Sequence, residues 1–313
     1  MLKYVLKRLG MSIPILLAVL TLVFVIIRIV PGDPAMVVLG DQASAEALEA
    51  LRAKMGLDAP LVEQYLTFLF GALRGDLGLS LLSGKPVLAE VMTVLPYTID
   101  LTIAGVLIGV VFGVPLGVLT AVYRNSVTDY FIRVLSLFGL SFPAFYSAIL
   151  LILVFAIQFQ FFPVISDPDL SDYGQRLEHL ILPAFNLGLI MVAYITRSTR
   201  SSMLEVLRED YVRTAKAKGV PRLIVIFRHA LQNALIPIVT VIGLYLGVLI
   251  GNSVLTEIVF NRPGLGKLIL DALSERDYTL LQGVMVIYAF IIVVVNLITD
   301  LTYGLVDPRV KHQ

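Results

Sequence analysis

No cysteine occurs anywhere in the 313 residues, which excludes disulfides, thiolate nucleophiles and iron–sulfur centres. Histidine is nearly as scarce. His179, His229 and His312 are the only three, and they share no ligand spacing, so nothing points to a metal site made by this chain alone. Charge is thin as well: 15% of the residues are Asp, Glu, Lys or Arg, and 58% are hydrophobic, with a mean hydropathy of +0.90. A soluble domain carries about a quarter charged residues. This composition belongs in lipid. The net charge of +1 gives no basis for a nucleic-acid partner.

Catalytic motifs are missing too. There is no H-E-x-x-H and no G-x-S-x-G, so a membrane protease or lipase lacks its reacting groups. The string "RPGLGKL" at 262–268 imitates a phosphate-binding loop. However, Asn261 stands where the first glycine belongs and Leu268 replaces the Ser or Thr. No ATP hydrolysis is expected of this chain.

What is present is apolar sequence in long runs. Six are long enough to cross a bilayer at about 20 residues per crossing: 9–30, 98–122, 132–156, 180–195, 235–255 and 280–303, the fourth being the shortest. The first run exceeds the core of a signal peptide and reads as a retained helix, with Arg28 placed to snorkel to the far interface. Lysine and arginine set the orientation. With the N-terminus in the cytoplasm, fifteen of the 24 fall on inside segments and eight on outside ones. The expected fold is an all-α polytopic membrane protein with six transmembrane helices and both termini inside. Three regions follow: 1–30 as cytoplasmic N-terminus and first helix, 31–97 as an extracytoplasmic helical segment, and 98–313 as a five-helix core.

The segment 31–97 carries helix punctuation. Ser44 is placed to cap a helix running to about Met55, with Glu46 in its first turn and Gly56 as its stop. Asp58 and Pro60 then open a second helix reaching about Arg74. Two spans carry glycine ridges of period four: Gly105, Gly109, Gly113 and Gly117, then Gly243, Gly247 and Gly251. Such a ridge lets a neighbouring backbone approach closely, either for helix packing or to line a groove. Pro115 and Pro143 are expected to kink their helices.

A water-loving stretch interrupts the apolar runs: "DYVRTAKAKGVPRL" at 210–223, inside a loop of about 198–233. Asp210 suits a helix start, Lys216 and Lys218 suit its end, Gly219 suits a left-handed terminator, and Pro221 suits the first turn of the next helix. Tyr211, Ala215 and Lys218 share one side, Val212, Ala215 and Gly219 another, and Arg213 and Lys216 a third. This pattern describes either a helix that docks onto something or a basic loop lying on anionic headgroups.

Arg213-Thr214-Ala215-x-x-x-Gly219 resembles the cytoplasmic "EAA" loop of ABC-importer permeases, in the form used by the dipeptide/oligopeptide/nickel branch. Other features of that branch stand in order: "PGDPA" at 31–35, "GDLGLS" at 75–80, "HALQNALIP" at 229–237, "RPGLG" at 262–266, "RDY" at 276–278 and "DPR" at 307–309. The resemblance covers essentially the whole chain and is to the first permease of a pair. It departs from the wider pattern at Arg213, which occupies the glutamate position, and at Pro237, which comes late. A glutamate contact therefore does not carry over.

The resemblance implies a bacterial inner-membrane permease subunit forming half of a translocation pathway for peptides, either dipeptides, oligopeptides or glutathione. Nickel chelates are the alternative within the branch, and a secondary transporter is the rival class. It implies a second homologous permease, two ATPase subunits that hold ATP and Mg, an extracytoplasmic binding protein, and no cofactor on this chain. It assigns ATPase coupling to Tyr211, Arg213, Thr214, Ala215, Lys216 and Gly219.

Polar residues within or beside the spans complete the candidates. Asn296, Asp300, Tyr303 and Asp307 fall near one face of the last span, with Asp300 placed to pair with an inner arginine. Asp100 and Asn252 lie at outer ends, lining a vestibule or facing the interface. Arg276 and Asp277 lie in an outer segment where a delivering protein would dock, or in a capped loop.

Overall fold

A computed structural model describes residues 2–29, 34–39, 43–164 and 172–306. The motif at 307–309 and the first three residues of "PGDPA" lie outside these. The described residues are helical, with one isolated β-bridge between Leu79 and Pro86. In order, the helices are α1 (Leu2–Ile29), α2 (Pro34–Leu39), α3 (Ala45–Lys54), α4 (Leu61–Arg74), α5 (Val87–Val122), α6 (Val127–Ser141), α7 (Ala144–Leu151), α8 (Tyr173–Val206), α9 (Asp210–Ala217), α10 (Arg222–Ile224), α11 (Gln232–Val259), α12 (Leu265–Ser274) and α13 (Tyr278–Val306). Two wider, π-helical stretches extend them, Ile152–Gln158 after α7 and Val225–Leu231 before α11.

Five helices are long and apolar enough to cross a membrane, and a sixth crossing needs the pair Val127–Ser141 and Ala144–Gln158, bent by 106°. The break falls at Pro143, which precedes α7 and has no N–H to continue α6. Pro115, by contrast, lies inside the unbroken assignment of α5. The fourth apolar run, read as the shortest, belongs to a 34-residue helix, α8. Hydropathy missed its ends because both are charged, with Arg176 and Glu178 at one and Arg197, Arg200 and Glu205 at the other, although Thr196, Thr199 and Ser202 beside the latter are buried.

The described chain forms two compact units. One comprises Leu6–Tyr97 and Pro263–Val294, so the residues 263–294, expected in a core of 98–313, group instead with the N-terminal part. Here the punctuation of the sequence is visible atom by atom. Ser44 Oγ accepts the Ala47 N–H at 3.2 Å to start α3, and Gly56 takes φ +68 just beyond its end. Gly75, with φ +78, ends α4. Leu20, Val23 and Ile27 of α1 pack with Phe68 and Leu69 of α4, and Phe24 meets Tyr65 edge-on at 5.3 Å. Arg28 has partners within the protein: its Nε donates to Gln64 Oε1 at 3.0 Å, and its guanidinium lies 4.7 Å above the Phe24 ring.

The other unit comprises Met1–Val5, Thr98–Arg262 and Val295–Gln313. Its core joins Leu101, Val118 and Ala121 of α5 to Leu187, Met191, Ile195 and Met203 of α8 and to Ala234, Ile238 and Leu249 of α11. Glycine spacing explains how closely α5 and α8 meet. A Cβ built on Gly105 would sit 3.1 Å from Leu187 Cβ, on Gly109 2.6 Å from Met191 Cβ, on Gly113 2.8 Å from Ile195 Cβ, and on Gly117 2.8 Å from Thr199 Cγ2. The facing residues also recur every fourth position, so the ridge on α5 receives a row of side chains from α8. On α11, Gly243 faces Thr299 and Gly247 lies 3.1 Å from Asn296 Oδ1, both on α13. Gly251 continues the spacing but has nothing within 4 Å.

Candidate functional site

The polar stretch at 210–223 folds as a short helix with a glycine elbow. α9 spans eight residues, and its end is a Schellman cap. The Gly219 N–H donates to the Lys216 carbonyl at 3.0 Å and the Val220 N–H to the Ala215 carbonyl at 3.2 Å, with Gly219 at φ +75. Val220 packs beside Ala215, the apolar contact that such a cap brings with it. Pro221 stands one residue before α10 rather than inside its first turn. At the other end, Thr214 Oγ1 donates to the Asp210 carbonyl at 2.9 Å. The Arg213–Asp210 pair, at 3.5 Å with both side chains largely exposed, contributes at most about 1 kcal/mol.

What α9 docks onto is its own chain. Val212 is fully buried and Ala215 is 9% exposed, in a cluster with Val225 and with Val206, Leu207 and Val220. The Ala215 methyl, which the resemblance assigns to coupling, is turned into the loop's own core. The outward face carries Tyr211, Arg213, Thr214, Lys216 and Lys218, all exposed. Burial pushes the Tyr211 phenol above its ordinary value, while a hydrogen bond with Asn233 pulls the other way. The seat of α9 therefore joins the end of α8 to the π-helical turn that leads into α11.

Three polar centres in the same unit were not legible as sites. Asp129, fully buried, accepts Arg200 Nε and Nη2 through its two oxygens, each at 2.9 Å. It also accepts the Asn125 N–H at 2.9 Å, and Arg133 Nε lies 3.3 Å away. Asn186, also fully buried, donates to the Ala144 carbonyl at 3.1 Å and to Thr256 Oγ1 at 3.2 Å, and accepts Ser147 Oγ at 2.7 Å, so it ties α7, α8 and α11 together. Tyr194 and Tyr245 stack with ring centroids 3.7 Å apart. An asparagine in the apolar run 180–195 was the one available signal.

The expected pathway and docking residues distribute unevenly. Asp100 forms an ion pair with Arg176 in the first turn of α8, Arg176 Nε lying 2.7 Å from Oδ2. Asn252 is half-buried, its carbonyl accepting Thr256 Oγ1 at 3.2 Å. Asn296 is exposed beside Gly247, and Asp300 is half-buried on α13. Tyr303 and Asp307 add no side-chain detail, falling outside the described side chains and the described residues respectively. Arg276 is exposed at φ +58. Asp277 has the geometry of the capped-loop alternative. It is 1% exposed and caps α13, its Oδ1 accepting the Leu280 N–H at 2.9 Å and its Oδ2 the Ser80 hydroxyl at 2.6 Å. The strings "GDLGLS" and "RDY" thus meet in one buried joint, and this carboxylate is not an exposed docking group.

Among the described residues no three His, Cys, Asp or Glu side chains converge on a point that could hold a metal ion. The arrangement consists of long apolar helices, a polar elbow at the joint of two of them, and polar ties within the helical core.

Residues 113–312 match the family described as "Binding-protein-dependent transport system inner membrane component", and residues 1–102 match its N-terminal counterpart. The chain is 42% identical to the di/tripeptide transport system permease protein DppB of Pseudomonas aeruginosa (strain UCBPP-PA14) and 41% identical to the dipeptide transport system permease protein DppB of Escherichia coli (strain K12). It is 39% identical to the glutathione transport system permease protein GsiC of Escherichia coli (strain K12). All three alignments cover 100% of both chains. Likeness of this extent, over the same stretch that builds α5 to α13 and the elbow, is decisive: the chain belongs to the family of binding-protein-dependent transport system inner membrane components.

Proposed function

We propose that this chain forms half of the pathway of an ATP-driven importer for small peptides, and that α9 is the part moved by an ATPase. The observation that carries the reading is the seat of α9. Its apolar side is used on the ends of α8 and α11, and its polar side is left facing outward. A rigid push on that polar side is transmitted to two long helices without crossing a flexible linker.

The orientation comes from charge. With α9 in the cytoplasm, fifteen of 24 lysines and arginines fall inside. The Pro31–Tyr97 segment, with α3 and α4, is then extracytoplasmic. A second homologous permease completes the pathway, two ATPases bind ATP and Mg below, and a binding protein delivers substrate above. This chain itself binds no cofactor. The substrate class follows the relatives, whose names include di/tripeptide, dipeptide and glutathione transport. These are all short peptides with an amino and a carboxylate end.

The test is a pair of cysteines in this cysteine-free chain. Thr214→Cys, on the exposed side of α9, should crosslink to the ATPase in membranes that hold all the subunits. Val212→Cys, on the seated side, should not. Equal crosslinking of both, or none from Thr214→Cys, would overturn the assignment.

A further inference from the structure

A cavity of about 670 Å³ lies between α6 and α8, within the unit that contains them both. Five arginines line it, Arg124, Arg133, Arg197, Arg200 and Arg208, with one acid, Glu205. Asp129 lies under Arg200 and Arg133, so five positive charges face two negative ones. Arg124, Arg197 and Arg208 are exposed, and none has a carboxylate partner among the described residues. Beside it opens a second cavity of about 410 Å³ that shares Ser136 and Ala193 with the first. Its walls are apolar, built from Leu135, Phe138, Phe142, Phe185 and Leu189, with Ser136 and Ser147 as the polar side chains. Phe138 is 57% exposed and stacks on Phe142 at 6.2 Å.

A cationic mouth joined to an apolar groove matches a molecule with a negative head and a hydrocarbon tail. We propose that the α6–α8 cleft seats an anionic phospholipid, with the phosphate among Arg124, Arg197 and Arg208 and an acyl chain along the aromatic groove. Basic clefts between membrane helices recognise headgroups in this way. A free phosphate would use the arginines but gain nothing from the groove. An extended peptide would leave most of its polar main chain unmatched there, because Ser136 and Ser147 are the only polar side chains on the groove's apolar walls. Seating a lipid requires only that the chain lies in a membrane, and it is independent of the substrate and coupling readings above.

The experiment uses the full purified chain, delipidated in neutral detergent and titrated with dioleoyl phosphatidylglycerol or dioleoyl phosphatidylcholine under native mass spectrometry. Wild-type protein should bind one phosphatidylglycerol in preference to phosphatidylcholine. Arg124→Gln, Arg197→Gln and Arg208→Gln together should weaken phosphatidylglycerol about a hundredfold, at roughly fivefold per arginine near a headgroup, and leave phosphatidylcholine unchanged. Gly139→Leu should fill the groove and weaken both lipids. A Cβ at Gly139 meets the Leu189 carbonyl at 3.5 Å and Ala193 Cβ at 3.7 Å, ordinary contacts that allow folding. Lys216→Gln, Lys218→Gln and Arg228→Gln together remove the same charge elsewhere and should leave lipid binding intact. Competition on wild-type protein tests the site without any variant: dihexanoyl phosphatidylglycerol should displace the bound lipid far better than glycerol 1-phosphate. Equal binding of the two lipids, an unaffected triple-arginine variant, or an equally weakened charge control would overturn the site. Equal displacement by glycerol 1-phosphate would replace the lipid with a free phosphate. Density for a protein segment of a second subunit in the groove would replace it with an interface.

Discussion

Gly219 allows the elbow to be tested with a graded series, because its environment separates two causes that usually mix. A Cβ at this position meets nothing within 4 Å, so no side chain is excluded for want of room. The backbone, however, is at φ +75, where an ordinary L-residue costs about 1–2 kcal/mol. Gly219→Ala should therefore cost about 1 kcal/mol and Gly219→Val about 2 kcal/mol or more, the branched side chain tolerating this region least. Gly219→Asn should stay close to wild type, since asparagine accepts the left-handed region. The opposing quantity is the seat of α9. Burying Val212 contributes about 1.5–2 kcal/mol and the Ala215 methyl about 0.8 kcal/mol. Strain from valine is thus comparable with the whole seat, and α9 should spend a large part of its time undocked. Strain from alanine should leave it mostly seated. Hydrogen exchange of the 210–218 amides reports docking, and ATP-dependent uptake by the assembled transporter reports coupling. Both should fall in the order Gly, Asn, Ala, Val. If asparagine is as damaging as valine, the backbone argument is wrong and a side-chain contact at Gly219 must replace it.

The other predictions concern the frame. In the isolated chain, Gly109→Leu should lower stability to unfolding by about 1–3 kcal/mol through overpacking against Met191, whereas Gly251→Leu, with open space around it, should stay within about 0.5 kcal/mol of wild type. A dodecyl sulfate titration reads both, and the reverse order would contradict the packing seen. Asp129→Ala strands Arg200 beside Arg133 and should cost about 3–5 kcal/mol; adding Arg200→Met should recover part of it, and a purely additive double variant would show that the two groups are not coupled. Asp277→Ala removes the cap of α13 and the acceptor for Ser80, at about 1–2 kcal/mol, and should speed hydrogen exchange of residues 79–83; unchanged exchange there would rule out the joint.

Local signals were the legible ones. Ser44, Gly56 and Gly219 each do in the structure what their type and position led one to expect, because caps and left-handed turns depend on neighbours a few residues away. The ridge from Gly105 to Gly117 was legible for the same reason, but its partners on α8 were not. The cap at Asp277 was legible as one of two alternatives, since an aspartate immediately before an apolar run is an N-cap signal. Two features were out of reach. The pairing of Asp129 with Arg200 spans 71 residues, and nothing in either local sequence marks it. The side of α9 that turns inward could not be told either, because Ala215 lies on both small faces of the helix and only the positions of Val206 and Val225 decide between them. Hydropathy shortened α8 because its two ends are charged, and because it treats the buried Thr196 and Thr199 as it would solvated ones.

The central claim is that this chain passes peptide only when ATP and a delivering protein drive it. The direct measurement is uptake of a labelled dipeptide into proteoliposomes containing this chain, its companion permease and the ATPases, with binding protein and ATP supplied or withheld on defined sides. Uptake should require both, and should fall well below wild type in Gly219→Val while Gly219→Asn retains most of it. Uptake that runs on a proton or sodium gradient without ATP would contradict the claim and return the chain to the class of secondary transporters.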